Sequence, residues 1–235
     1  MKAFLLSAGK GTRLRPITYT IPKCLIPINN RPLLDYWFEL LENHGIEDIL
    51  INTSHLSDKI IEYVRGQRWR LNIRITYEDE LLGSGGTIKK NWDFVKDEEC
   101  FYIIYSDNLT NINLTGMLDL HKTKRADFTL ALVRVPNPHE CGIVEMDNSL
   151  RIISFQEKPK NPLSDLAFAG IMISSNKLKD YFPDREVFDL GYDVLPNLLK
   201  DVYGYVMDEY LIDIGTHERL NMAIEDVRRG VFKFS

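Results

Sequence analysis

The segment Leu6-Ser7-Ala8-Gly9-Lys10-Gly11-Thr12-Arg13-Leu14-Arg15-Pro16, closed by Pro22-Lys23, carries the residue types needed to hold an anion. Gly9 and Gly11 tolerate positive φ and let the backbone come close to a ligand. Successive N–H groups in such a turn form an anion-binding nest. Arg13, Arg15 and Lys23 add cations, the arginines as planar forks that grip two phosphate oxygens, the lysine as a compact point charge. The chemistry indicated is the binding and transfer of phosphate groups. Two familiar phosphate loops do not match. A Walker A loop needs Ser or Thr after its lysine, and Lys10 is followed by Gly11; the dinucleotide fingerprint needs a third glycine where Leu14 stands.

Carboxylates form a second candidate set. Asp107 follows the apolar run Phe101–Tyr105, and Asp213 follows Tyr210-Leu211-Ile212 and precedes Gly215-Thr216 at an expected helix start. Magnesium takes hard oxygen ligands, usually one or two carboxylates with phosphates and water, and two carboxylates at strand ends suit that need. Taken singly, each has a plainer reading: Asp107 as a turn former, Asp213 as a residue at a helix N-terminus. Lys158, in Glu157-Lys158-Pro159, lies just past an expected strand, where a solvated charged loop fits equally. Gly170 interrupts an apolar strand, and close approach of a ligand is one reason for such a glycine. The five histidines show no pairing or metal spacing.

The elements that must position these residues follow from periodicity. Ala3–Leu6 and Asp48–Ile51 read as strands buried on both faces, as in a parallel sheet covered by helices. Ile73–Tyr77 and Phe101–Tyr105 are further strands, with helices expected at 33–41 after Pro32, at 58–64 and at 87–95. Strand–helix alternation of this kind implies a three-layer α/β fold with a mostly parallel, doubly wound, Rossmann-like sheet whose ligands bind at the carboxyl ends of the strands. The later half is mixed: strands at 129–135, 142–146, 150–155 and 167–173, a hairpin turn at Asp147-Asn148-Ser149, and helices at 178–182, 194–199 and 220–227. No linker or repeat interrupts the chain. Residues 1–235 are therefore expected to form a single domain, with a nucleotide-binding half at about 1–112 and a second-substrate half at about 113–235.

Composition narrows the class. With 235 residues, 44% hydrophobic and 27% charged, the chain is an ordinary globular one. A net charge of −5 argues against nucleic acid as the main partner. Cys24, Cys100 and Cys141 are odd in number and spread apart, which points to reduced thiols and a cytoplasmic protein rather than a disulfide framework or zinc site. No run approaches the ~20 apolar residues that span a bilayer, and neither a signal peptide nor a membrane partner is expected.

The glycine segment through Pro22-Lys23 resembles the signature of the sugar nucleotidyltransferase family, A-G-x-G-T-R-L-x-P…P-K, long enough that a chance match is improbable. Leu82-Gly83-Ser84-Gly85-Gly86 resembles the family's base-recognition loop, Tyr105-Ser106-Asp107-Asn108 its metal motif, and Phe155-Gln156-Glu157-Lys158-Pro159 its F-x-E-K-P. Ala169-Gly170-Ile171, Asp193-Val194-Leu195-Pro196 and Asp213-Ile214-Gly215-Thr216 follow in family order. Departures at Ser7-Ala8, Leu81 and Cys141 bear on substrate choice more than on the reaction.

The resemblance implies a glycosyltransferase-A-type sheet and a Mg²⁺-dependent reaction joining a nucleoside triphosphate to a sugar 1-phosphate with release of pyrophosphate, in nucleotide-sugar and polysaccharide biosynthesis. It places Ser7, Ala8, Gly9, Gly11, Thr12, Arg13, Glu80, Gly83, Gly85 and Asp107 on the nucleotide, Asn108, Glu157, Lys158 and Gly170 on the sugar phosphate, and Asp107 and Asp213 on the metal. Arg13, Lys23 and Asp107 are the expected catalytic groups. The loop from Glu80 to Gly86 leans toward GTP with mannose or heptose 1-phosphate, with uridylyl and thymidylyl transfer as alternatives. Readings from other classes are an inactive nucleotide-sugar sensor and a metal-dependent glycosyltransferase. The chain reaches Ser235 without hexapeptide repeats, so no C-terminal β-helix is expected, and a homo-oligomer stays open.

Overall fold

The computed structural model describes residues 1–198 and 200–234. In chain order its elements are β1 (Lys2–Leu6), β2 (Pro27–Ile28), β3 (Arg31–Pro32), α1 (Leu33–Asn43), β4 (Asp48–Thr53), α2 (Ser57–Gly66), β5 (Asn72–Tyr77) and α3 (Gly83–Lys90). There follow β6 (Cys100–Tyr105), β7 (Asn108–Thr110), α4 (Leu114–Lys124), β8 (Phe128–Arg134), β9 (Gly142–Met146) and β10 (Ile152–Glu157). The last are β11 (Leu166–Ser175), β12 (Val202–Val206), β13 (Leu211–Asp213) and α5 (His217–Arg228). The strands pair in both senses, so the α/β expectation holds, with a mixed sheet.

Contacts divide the chain into two compact units. The first comprises Met1–Leu81, Ile104–Ile112 and Glu209–Ser235; the second comprises Leu82–Ile103 and Asn113–Asp208.

The first unit is built on a parallel ladder. β1 pairs with β4 from Lys2↔Asp48 to Leu6↔Asn52, and β4 pairs with β5 from Asp48↔Asn72 to Thr53↔Tyr77. Ala3, Phe4, Leu5, Ile49, Leu50 and Ile51 are fully buried, as a strand covered on both faces requires. Helix α1 buries Leu33, Leu34, Trp37, Phe38 and Leu41 at helical spacing. Its Trp37 Nε1–H donates to the Ser106 carbonyl at 3.1 Å, fixing the turn that carries Asp107. That turn leads into β7, which pairs antiparallel with β13 in a separate two-stranded ladder, Asn108 opposite Asp213.

The second unit is mainly antiparallel. β8 pairs with β11, β9 with β10, and β12 lies parallel to β8. The β11–β8 register shifts between Phe168 and Met172, and Gly170 sits in that irregularity with φ +74. A positive φ at a bulge is thus a local reason for this strand glycine, alongside any ligand. The hairpin at Asp147 forms as expected: its Oδ1 accepts from the N–H groups of Ser149 and Arg151 at 2.8 and 3.0 Å.

Three expectations need correction. The helix placed at 87–95 instead begins with the glycines, as α3, and ends in a 3₁₀ turn at Trp92–Phe94. A side chain at Gly85 would enter the buried ring of Phe188, and Gly85 N–H donates to the Phe188 carbonyl at 3.1 Å, so tertiary packing overrides glycine's weak helix propensity. The helix placed at 194–199 is a π-helical turn, Leu190–Val194, followed by a 3₁₀ turn, Leu195–Asn197, with Leu199 outside the described residues. Pro196 has no N–H to continue a regular helix. At 178–182 the structure has a 3₁₀ stretch, Asn176–Tyr181. Helix α4, which the sequence reading leaves without assignment, starts at Asn113, whose side chain accepts from Gly116 N–H at 2.9 Å.

Candidate active site

In the first unit, β1 delivers the chain into the glycine segment. Gly11 has φ +58, and its carbonyl accepts from Thr18 Oγ1 at 2.8 Å, closing the loop on itself. Leu14 is fully buried and anchors the 3₁₀ turn Thr12–Leu14, while Gly9, Lys10, Thr12, Arg13 and Arg15 stay exposed. This division follows from side-chain type: one apolar residue holds the loop to the core, and the cations remain in water. His217 Nε2 lies 2.8 Å from the Arg15 carbonyl and ties the loop to the start of α5.

Lys23 begins a 3₁₀ turn whose next residue, Cys24, is buried, so its stem is fixed at the base. Burial in apolar surroundings pushes the Cys24 thiol up to about 12, which makes it an inert packing group. Lys23 Nζ donates to Asp107 Oδ2 at 2.7 Å and lies 3.5 Å from Asp213 Oδ1. The two aspartates, distant in sequence, meet because β7 and β13 pair, and Ile214 N–H donates to the Asp107 carbonyl at 3.0 Å. Asp213 Oδ1 also accepts from Gly215 N–H at 2.7 Å, and Arg219 Nη1 lies 3.5 Å from Asp213 Oδ2. A side chain at Gly215 would stand 2.8 Å from Arg13 Nη2 and 2.9 Å from Asp213 Oδ1, which puts the Arg13 guanidinium over the same spot. Arg13, Lys23, Asp107 and Asp213 therefore converge.

The carboxylate pair suits a hard divalent cation. Both groups offer oxygens, both are partly exposed, and a cationic ammonium already lies between them. Among the described residues no group of three or more His, Cys, Asp or Glu converges to hold a metal. Further ligands would have to come from phosphate oxygens or water, as magnesium commonly accepts.

A buried network under the loop escapes the sequence reading. Ser7 N–H donates to Asn52 Oδ1 at 2.7 Å, and Asn52 Nδ2 donates to Glu78 Oε1 at 2.9 Å. Ser7 Oγ donates to Ser106 Oγ at 2.8 Å, and Ser106 Oγ donates to the Leu6 carbonyl at 2.8 Å. The first peptide of the loop and the turn bearing Asp107 are thus stitched together. Asn52→Ala strips Ser7 N–H of its acceptor in a buried place, and an expected loss of about 1–3 kcal/mol should appear in urea unfolding. An unchanged midpoint would remove this network from the account. Glu80, assigned to the nucleotide, is exposed beyond β5. Asn108, assigned to the sugar phosphate, is buried on β7, its Nδ2 donating to the Tyr105 carbonyl at 3.5 Å.

Gly83, Gly85, Glu157, Lys158 and Gly170 belong to the second unit. Ser84 Oγ donates to Asp189 Oδ2 at 2.8 Å and accepts from Leu190 N–H, tying α3 to the π-helical turn. Glu157 ends β10 in a notch between glycines: a side chain at Gly142 or Gly191 would come within 2.8 or 3.0 Å of its Oε2. Burial raises the Glu157 pKa, with neighbouring Asp189 adding to the rise and Lys158 opposing it. Lys158 has φ +48, is largely exposed, and holds its Nζ 4.0 Å from Glu157 Oε1 and 5.8 Å from the Tyr192 ring centre.

A carboxyl whose folded pKa is raised favours the fold below its unfolded pKa, and that contribution is lost as pH rises through the folded pKa. Glu157→Gln should therefore gain thermal stability relative to the parent on going from acid to neutral pH. A pH-independent difference in Tm would contradict the assigned burial effect.

Comparison with known proteins bears on these two sets of residues. The nucleotidyl transferase family profile matches residues 2–230. A UTP–glucose-1-phosphate uridylyltransferase from Synechocystis sp. is 38% identical over 92% of this chain, which spans 60% of that relative's length. A D-glycero-alpha-D-manno-heptose 1-phosphate guanylyltransferase from Aneurinibacillus thermoaerophilus is 31% identical, with 97% of this chain and 99% of that one covered. The crystal structure of HddC from Yersinia pseudotuberculosis complexed with GMP-PN superposes with a TM-score of 0.81 at 26% identity, covering 96% of this chain and 99% of that one. With the profile spanning nearly its whole length, the chain belongs to the nucleotidyl transferase family.

Proposed function

We propose that this chain transfers a nucleotidyl group from a nucleoside triphosphate to a sugar 1-phosphate, giving a nucleotide sugar and pyrophosphate. The observation that carries this is the convergence of Arg13, Lys23, Asp107 and Asp213 beside an exposed glycine loop. GTP with mannose or heptose 1-phosphate is the favoured pair. Its support is the Glu80–Gly86 sequence, the heptose 1-phosphate guanylyltransferase relative, and the GMP-PN complex of a similar fold. The Synechocystis relative favours uridylyl transfer to glucose 1-phosphate as the second reading.

A phosphate monoester has a second pKa of about 6, so the attacking sugar phosphate is anionic near neutrality and needs no general base. What remains is repulsion between two polyanions and charge developing on the leaving pyrophosphate, which positioned cations and N–H groups relieve. The Gly9–Thr12 backbone and Arg13 hold the triphosphate. Lys23 moves its ammonium toward the α-phosphate, and Lys158 orients the incoming sugar phosphate while Glu157 contacts its hydroxyls. Asp107 and Asp213 would hold Mg²⁺, which when bound polarises the reacting phosphoryl group. Arg13 and Lys23 pull charge density off the oxygens of the triphosphate as the bond to pyrophosphate breaks.

The test is a matrix of the four nucleoside triphosphates against mannose, glucose and heptose 1-phosphates, read by pyrophosphate release. Release highest with GTP and mannose or heptose 1-phosphate is expected, and highest release with UTP and glucose 1-phosphate would select the second reading. Nucleotide binding without pyrophosphate from any pair would favour a sensor. Sugar transfer from a nucleotide sugar would favour a glycosyltransferase.

A further inference from the structure

We propose that Lys23 occupies the divalent-cation position in the unliganded protein and holds it closed until a triphosphate draws the ammonium away. The inference rests on the nucleotidyl-transfer reading and adds an order to it: the cation and the triphosphate load together, and neither carboxylate pair nor loop takes the cation alone. Lys23 Nζ lies against oxygens of both Asp107 and Asp213, at 2.7 and 3.5 Å. Its side chain is 12% exposed, against 40% and 31% for the aspartates, so Lys23 is the least solvated member of the cluster. Asp213 is further engaged by Gly215 N–H and by the Arg219 guanidinium.

A divalent cation taking these carboxylate oxygens would meet a fixed ammonium at close range, and like charges at contact distance oppose one another strongly. Magnesium also gives up its water reluctantly. A triphosphate changes both terms, because its oxygens give Nζ a new acceptor and give the cation the ligands that two carboxylates lack. The nucleotide should therefore raise cation affinity, and by reciprocity the cation should raise nucleotide affinity by the same factor. Lys23 thus serves as counterion to the aspartates in one state and to the triphosphate in the other.

Mn²⁺ titration followed by the electron paramagnetic resonance of free Mn²⁺ tests this on the full chain without turnover. Without nucleotide, Lys23→Met and Lys23→Gln should bind Mn²⁺ about tenfold or more tightly than the parent, a coupling of ordinary size. Adding Asp107→Asn to either variant should abolish that gain, which assigns it to this pair. With a non-hydrolysable triphosphate present, the parent should gain affinity and the difference should shrink. Far-ultraviolet circular dichroism checks that the variants fold, and the parent alone gives a second test. Parent protein that binds Mn²⁺ at this pair equally well with and without triphosphate overturns the inference, as do equal nucleotide-free affinities in parent and folded variants. Either result leaves the nucleotidyl-transfer reading standing. Failure of a fluorescent triphosphate analogue to bind in the same titrations overturns that reading and the inference together.

Discussion

Asp107→Ala is expected to lower turnover by about 10²-fold or more, the scale for losing one preorganised group that stabilises charge in the transition state. The expectation follows from where the carboxylate lies. Asp107 stands in the turn between β6 and β7, fixed by Trp37 and by Ile214, and its Oδ2 faces Lys23 Nζ at 2.7 Å. Its side chain is partly exposed, so the ion pair it loses adds little to stability, of the order of 0–1 kcal/mol. Activity and stability should therefore separate: a large fall in kcat for pyrophosphate release with nearly unchanged urea unfolding. Asp107→Asn should fall almost as far, because the amide keeps the shape but loses the charge. Near-normal turnover in either folded variant removes Asp107 from the mechanism.

Lys23→Ala should cost a similar factor in kcat/KM, about 10²-fold or more. Its side chain is largely enclosed and its ammonium lies near both aspartates, so its removal leaves Asp107 without this ion pair and Asp213 with Arg219 alone as its salt-bridge partner among the described residues. Triphosphate affinity should fall along with turnover, because the same ammonium is assigned to the phosphates once they arrive. Lys23→Arg restores the charge but not the compact shape, and a planar fork does not fit between two oxygens set for a point charge. Partial recovery at most is expected there, read from steady-state kinetics. Full activity of Lys23→Ala would show that the loop cations suffice without it.

The turn of the glycine loop is legible because its cues are local. Glycines, arginines and prolines that follow a buried strand specify a turn, and the turn is found between Leu6 and Lys23. The meeting of Asp107 with Asp213 was not readable from spacing. It depends on a short ladder between β7 and β13, two three-residue strands with little periodicity to reveal them. Asn52 and Glu78 are hidden in the sequence for another reason. An asparagine at a strand end and a glutamate in the acidic run Glu78-Asp79-Glu80 both look solvated, yet Glu78 is almost fully buried and bonded to Asn52. The only sequence signal was polar residues closing the apolar runs of β4 and β5, where ligands gather in parallel sheets.

The glycines at 83–86 illustrate the opposite error. Read locally they break a helix; in the fold they open one, because residues 186–188 press so close that a side chain at Gly85 or Gly86 would collide. Glycine there serves packing, whatever it also does for a base. Helix α4 was hidden by Gly116 and by a weak apolar stripe, and it is its Asn113 cap that marks its start.

One crystal structure bears most directly on the central proposition. Crystals of the chain grown with Mg²⁺ and a non-hydrolysable GTP analogue should show the triphosphate along Gly9–Arg13, Lys23 on its phosphates, and one cation touching Asp107 and Asp213 at about 2.0–2.1 Å. A triphosphate seated elsewhere, or a cation that ignores both aspartates, would contradict the account.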